Sequence, residues 1–118
     1  MKHRKFSDLG WNVSEIGLGC WAIGSEWGDV SDDDARKTLQ TSLDKGVNFF
    51  DTADVYGDGR SEKFVGELLK STSEKIYVAT KTGRRLDPHN AEGYNINQIE
   101  PFVDRSLLNL GLDIIDLM

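Results

Sequence analysis

Apolar residues recur along the chain in two alternating rhythms. Short runs rich in apolar residues at 16–21, 47–50, 76–80 and 113–118 alternate with longer stretches in which apolar positions return every three or four residues. The first rhythm predicts strands buried on both faces, and the second predicts helices with one buried stripe. A first helix is expected after Ser31, a good cap, with Asp32, Asp33 and Asp34 suiting the positive end of the helix dipole. Those three acids read as a capping device and not as a metal site, since no His or Cys accompanies them. Ala35, Leu39, Ser42 and Leu43 keep one face, and Gly46 supplies a left-handed stop. A second helix is expected over 61–70, striped by Phe64, Val65, Leu68 and Leu69. A third opens with Asn97 as cap and Glu100 three residues on, with Pro101 in its first turn and Gly111 at its end. Its stripe is Ile99, Phe102, Val103, Ser106, Leu107 and Leu110. Before all of these, residues 4–6 and 13–15 flank the turn cluster Asp8-Leu9-Gly10 and read as a hairpin.

After the hairpin the order is strand, helix, strand, helix, strand, helix, strand, with a period of about 30 residues. That order predicts an α/β protein with a parallel sheet. A barrel and an open doubly wound sheet both satisfy it. In either, ligands bind at the rim where the strands end. Asp51 ends the second strand after the hairpin, Tyr56 lies in the loop just beyond it, and Lys81 ends the third. If those strands are neighbours, about 4.8 Å apart, Asp51 and Lys81 leave the same rim. A buried ammonium beside a carboxylate and a phenol is an arrangement for acid catalysis. The lysine stabilises the phenolate left when the tyrosine gives up its proton, and the aspartate keeps the lysine charged and oriented. The plainer alternative is an aspartate that caps a turn and a tyrosine that packs over a strand end.

The run Phe49-Phe50-Asp51-Thr52-Ala53-Asp54-Val55-Tyr56-Gly57, with Ser61-Glu62 after it and Lys81 at the next strand end, resembles the aldo-keto reductase family. The resemblance runs through nearly the whole chain. It implies a (β/α)₈ TIM barrel whose bottom is plugged by the N-terminal hairpin. It also implies reduction of an aldehyde or ketone to an alcohol, with NADPH (NADP+) as cofactor. Asp51, Tyr56 and Lys81 then become the catalytic residues. Cys20, Trp21 and Asp51 are expected beside the nicotinamide, although many family members carry Thr or another small residue where this chain has Cys20. The family usually adds a histidine at the end of its fourth strand, a position at or just past Met118. The same resemblance carries an alternative, since barrels of this kind also serve as cofactor-binding regulatory subunits of potassium channels.

Length changes the expectation. A whole barrel needs about 250 residues, and the chain has 118. Residues 1–118 are therefore expected to form a single partial domain, the N-terminal half of a barrel, which self-associates and lacks activity when isolated. The loop at 22–30 holds Trp27, expected either as a wall for the substrate or as a lid on the scaffold. Trp21 itself reads equally as a core anchor. Gly17 and Gly19 do not form a phosphate loop, because no helix follows at once. In the long loop from 82 to about 95, Arg84 and Arg85 suit either an anion or plain solvent, and His89 reads as solvated. Asp and Glu number 20 against 14 Lys and Arg, a net charge of −6. That balance disfavours nucleic acid and anionic membrane as partners, and a small carbonyl compound is the partner that the resemblance implies. The basic start is not followed by an apolar segment, and no run approaches the roughly 20 apolar residues of a membrane span. Cys20 is the only cysteine, so no internal disulfide forms and a cytoplasmic protein is expected.

Overall fold

The computed structural model describes residues 1–118, apart from the side chain of Ser7. Strands β1 (His3–Phe6) and β2 (Trp11–Ser14) form an antiparallel hairpin. β3 (Leu18–Gly19), β4 (Phe49–Asp51) and β5 (Tyr77–Ala79) form a parallel sheet in that order. Helices α1 (Asp32–Asp44), α2 (Arg60–Ser71) and α3 (Ile96–Leu110) make the crossovers. Strands adjacent in sequence are adjacent in space, with no reversal of order. One apolar cluster joins Ala35 and Leu39 of α1, Phe64, Val65 and Leu68 of α2 and Leu110 of α3 to Phe50 and Val78. A doubly wound sheet reverses its order and carries helices on both faces, so this winding is that of a TIM barrel. The chain is the N-terminal half of one.

Strand pleat sorts the residues. Phe50 and Val78, in register, point at the helices and are fully buried. Phe49, Asp51, Tyr77 and Ala79 point the other way, into the barrel. At the bottom of that inner face the hairpin supplies the plug. Phe6 stacks on Trp11 at 5.8 Å and lies 6.4 Å from Phe49, and Trp11 stacks on Tyr77 at 4.8 Å. Asn48 locks the plug in place: its side chain accepts from the Ser14 amide at 2.7 Å and donates to the Asn12 carbonyl at 3.0 Å.

Three expectations need correction. The fourth strand is reduced to a single parallel bridge, Ala79 to Leu117. It is not buried on both faces, for Ile114 is 79% exposed. In place of a longer ladder, the Asp116 carboxylate accepts from the Val78 amide at 3.1 Å. The cap of α3 is Asn95, whose side chain accepts from the Gln98 amide, and not Asn97. Pro101 therefore falls in the second turn. It is tolerated because the Asn97 carbonyl that loses its donor lies on the exposed face, where water replaces it. Ser31 caps α1 as expected, accepting from the Asp34 amide at 3.1 Å. Among the described residues no helix is long and apolar enough to cross a membrane.

Candidate active site

Asp51 is the last residue of β4 and points inward, flanked in register by Gly19 and Ala79. These small neighbours leave room over the carboxylate, and a Cβ added at Gly19 would meet nothing within 4 Å. Lys81, two residues past β5, fills part of that room. Its Nζ donates to Asp51 Oδ1 at 2.7 Å and to the Thr52 carbonyl at 2.8 Å. The same Nζ lies 5.1 Å from the centroid of the Tyr56 ring. The three residues singled out in the sequence thus converge at one point on the rim. The lysine is not buried, however. The Lys81 and Asp51 side chains are 42% and 45% exposed, because the inner face above them is open in this chain. An ion pair that wet contributes only about 0–1 kcal/mol, so the contact with the Thr52 carbonyl matters for orientation.

The rim loops are held from outside themselves. Loop 22–31 is gathered by Arg60, in the first turn of α2. Its guanidinium donates to the Ile23 carbonyl, to Ser25 Oγ at 3.0 Å, to the Val30 carbonyl at 2.8 Å and to Asp32 at 2.8 Å. Loop 52–59 abuts it at Gly24 and Gly57. A Cβ at Gly57 would lie 2.4 Å from the Gly24 carbonyl oxygen, so any side chain there separates the two loops. Under both, the Ser61 hydroxyl donates to the Cys20 carbonyl at 2.9 Å and meets the Thr52 hydroxyl at 2.9 Å. Glu62 is fully buried, accepting from Thr80 Oγ1 at 2.7 Å and Asn109 Nδ2 at 2.9 Å. These polar ties were invisible to hydrophobic periodicity. The Ser-Glu pair after the Asp-Tyr run was the one signal of them in the sequence.

Trp21 is not a core anchor. It is 40% exposed, stacks on Tyr56 at 6.1 Å and meets Trp27 at 4.5 Å, while its indole N–H donates to Glu26. Trp27 is 72% exposed, so it is no lid on the scaffold. Arg85 is neither free for an anion nor solvated. It binds Asp54 and Asp58, and Asp54 is almost wholly buried. Arg84 is exposed, and His89 pairs with the Tyr94 hydroxyl at 2.8 Å in its own loop.

Cys20 lies beneath the rim and not on it. It is fully buried, its Sγ directed at the Leu18 carbonyl, so its side chain has no surface for a cofactor. Burial, with a smaller push from Asp51, moves the thiol from its ordinary value of 9.0 up to about 12. The reagent-sensitive thiolate is therefore nearly absent at neutral pH. A thiol reagent at pH 8 is expected to leave the native protein unmodified and to label it only after denaturation. Labelling faster than unfolding would contradict the burial. As pH rises, the unfolded chain gives up this proton first. The stability contributed by the neutral thiol is complete below about pH 9 and is lost as pH climbs toward 12.

An aspartate, a lysine and a tyrosine thus meet at the mouth of a parallel half-barrel. The family model described as the aldo/keto reductase family matches residues 15–118. The chain is 36% identical to aldo-keto reductase YhdN of Bacillus subtilis, over 99% of the chain and 37% of that protein. It is also 36% identical to aldo-keto reductase yakc [NADP(+)] of Schizosaccharomyces pombe, over 89% of the chain and 32% of that protein. The solved structure of the glycerol dehydrogenase AKR11B4 from Gluconobacter oxydans superposes with a TM-score of 0.80 at 33% identity, covering 97% of this chain and 37% of that one. The chain belongs to the aldo/keto reductase family. It spans about a third of the length of these relatives.

Proposed function

We propose that the whole protein reduces an aldehyde or ketone to the corresponding alcohol, with NADPH as cofactor. The observation that carries this is the meeting of Lys81 Nζ with Asp51 Oδ1 at 2.7 Å, the same ammonium lying 5.1 Å from the centroid of the Tyr56 ring. The bound cofactor supplies the hydride. The residues present fit its nicotinamide end. Trp21 offers a half-exposed indole face, and Asp51 a half-exposed carboxylate with open space beside it at Gly19. Cys20 contributes through its backbone position only. The choice of NADPH over NADH is supported by the NADP(+) in the name of the Schizosaccharomyces pombe relative.

Tyr56 donates its proton to the carbonyl oxygen as negative charge develops there, a step worth about 10²–10⁴-fold. Lys81, its ammonium over the ring, favours the phenolate that remains. Asp51 and the Thr52 carbonyl fix that ammonium in place. Trp27, tilted against Trp21 with ring centroids 4.5 Å apart, forms one wall for the carbonyl compound.

The test is cofactor consumption by the whole protein with a panel of simple aldehydes and ketones, using NADPH and NADH in parallel. Consumption with NADPH supports the reading, and none with either cofactor overturns it. Lys81→Met gives a finer expectation. A unit charge 5.1 Å from the ring, at an effective dielectric near 40, is worth about 1.6 kcal/mol, so kcat should fall roughly tenfold. An unchanged kcat would reduce Lys81 to a structural tie.

A further inference from the structure

Tyr56 is held by very little of its own. Among the described residues no hydrogen bond reaches its phenol, and its ring meets only Trp21 and Lys81 among charged or aromatic groups. Its orientation is therefore set by the backbone of loop 52–59. That backbone carries turn hydrogen bonds of its own, from the Tyr56 amide to the Ala53 carbonyl at 3.1 Å and from the Asp58 amide to the Val55 carbonyl at 3.2 Å, but they bracket a strained stretch. Gly57, Asp58 and Gly59 stand in succession at φ of 59°, 52° and 89°. Asp58 is the one non-glycine of the three, in a region that disfavours L side chains. Such a turn persists when its surroundings impose it.

The surroundings are arginines. Arg85, from the loop after β5, donates from Nε to Asp54 Oδ2 at 3.1 Å and from Nη2 to the Asp54 carbonyl at 2.6 Å. The same Nη2 donates to Asp58 Oδ1 at 2.7 Å. Arg105 of α3 donates to the Asp58 carbonyl at 2.9 Å and to Asp58 Oδ1 at 2.8 Å. The carboxylates stand two residues before and two residues after Tyr56, and Arg85 spans them both.

We propose that Arg85 is the positioning residue for Tyr56, bridging the two carboxylates that flank it and so fixing the loop from which the phenol projects. The proposal rests on the reading of Tyr56 as the proton donor. Charge and burial support it. The Asp54 side chain is 1% exposed and the Arg85 side chain 20%. Among the described residues Asp54 Oδ1 has no hydrogen-bond partner, and the buried carboxylate's salt bridge is to Arg85. Burial pushes the Asp54 carboxyl up, and Arg85 opposes that push. Asp58 is held below the usual carboxylate range by hydrogen bonds from Arg85 and then Arg105. The titratable and charged groups facing this bridge are Asp54, Asp58, Glu62 and Arg105. A lysine at 85 offers one point charge where the fork of an arginine reaches two carboxylates.

The experiment compares the native whole protein with Arg85→Ala and Arg85→Lys. Amide hydrogen exchange is followed in residues 52–59, in α1 and in the β1–β2 hairpin, alongside kcat, the carbonyl KM and the cofactor Kd. Arg85→Ala should speed exchange in 52–59 at least about tenfold and leave α1 and the hairpin unchanged. It should lower kcat by about 10- to 30-fold, with KM and Kd moving less than about threefold. Arg85→Lys should recover only part, and added ethylguanidinium should restore kcat to Arg85→Ala without changing KM. A loosened loop with undiminished kcat, or exchange raised evenly across the chain, would overturn the proposal. If the native protein reduces no carbonyl compound, the functional reading fails, and the positioning claim is decided by near-ultraviolet circular dichroism. The Trp21–Tyr56 pair is then read as the difference between native and Tyr56→Phe. Arg85→Ala should abolish that difference, and its survival would show that Tyr56 stays in place without Arg85.

Discussion

Tyr56→Phe in the whole protein is expected to lower kcat for carbonyl reduction by about 10²–10⁴-fold, with the cofactor Kd changed less than about twofold. The asymmetry follows from the contacts. The hydroxyl makes no hydrogen bond to the described residues, so removing it leaves no partner unsatisfied. The ring keeps its place beside Trp21 and beneath the Lys81 ammonium. Only the proton is lost. Stability should be nearly unchanged, since a half-exposed phenol exchanged for a phenyl ring opens no cavity. The measurements are steady-state turnover with a simple aldehyde, cofactor titration by fluorescence quenching, and the melting midpoint. Turnover within tenfold of native would remove Tyr56 from the acid role. A large drop in melting midpoint would mean that the hydroxyl has a structural partner, and the kinetic result would then carry no mechanistic weight.

The 118-residue chain, produced alone, is expected to self-associate and to consume no cofactor with any simple carbonyl compound. β3 stands at the edge of the sheet, and at the other side the bridge at Leu117 leaves the ladder thin. Ile16 is 60% exposed and Ile114 79%. A groove of about 500 Å³ beside that edge is lined in part by Leu69, Ile76, Leu112 and Ile114. Each large apolar side chain left in water forgoes about 1.5–3 kcal/mol, against a total domain stability of about 5–15 kcal/mol. A second copy that pairs with both edges and covers the inner face recovers much of this. Activity fails for a related reason. With the inner face open, Asp51 and Lys81 are nearly half exposed, so water competes with cofactor and substrate for a site that only one side of the mouth supplies. Light scattering and a cofactor-consumption assay test both statements. A stable monomer contradicts the first, and turnover above the uncatalysed rate contradicts the second.

The parts of this architecture that were readable from the sequence share one property: they repeat. The stripes Ala35–Leu39 and Phe64–Val65–Leu68 and the buried run through Phe50 and Val78 follow from periodicity, and the structure buries each of them. Asp51, Tyr56 and Lys81 were readable because strand ends in a parallel sheet share a rim. The cap of α3 was misread because two frames fit the same rule. Asn95 with Gln98 and Asn97 with Glu100 have identical spacing, and Pro101 suggested the later start. Exposure of the Asn97 carbonyl removed the penalty that would have enforced it. Arg85 was misread for a different reason. Its partners are 31 and 27 residues away in sequence, and no local pattern reports a contact made across loops. Cys20 was placed at the rim by resemblance, whereas its exposure depends on which way a short strand turns as it ends.

The arginine ties bear on how such barrels can be recombined. Loop 22–31 follows β3, yet its carbonyls are collected by Arg60, which arrives with α2. Loop 52–59 follows β4, yet it is tied by Arg85, which arrives after β5, and by Arg105 of α3. A strand–loop–helix unit is thus not a self-sufficient cassette, because its functional loop is anchored by the unit behind it. Grafting β3 and its loop onto a barrel with no basic residue at position 60 would carry Trp27 across without its mooring. The exchangeable piece is offset, consisting of a loop together with the start of the next unit, and crossovers should be cut to that boundary.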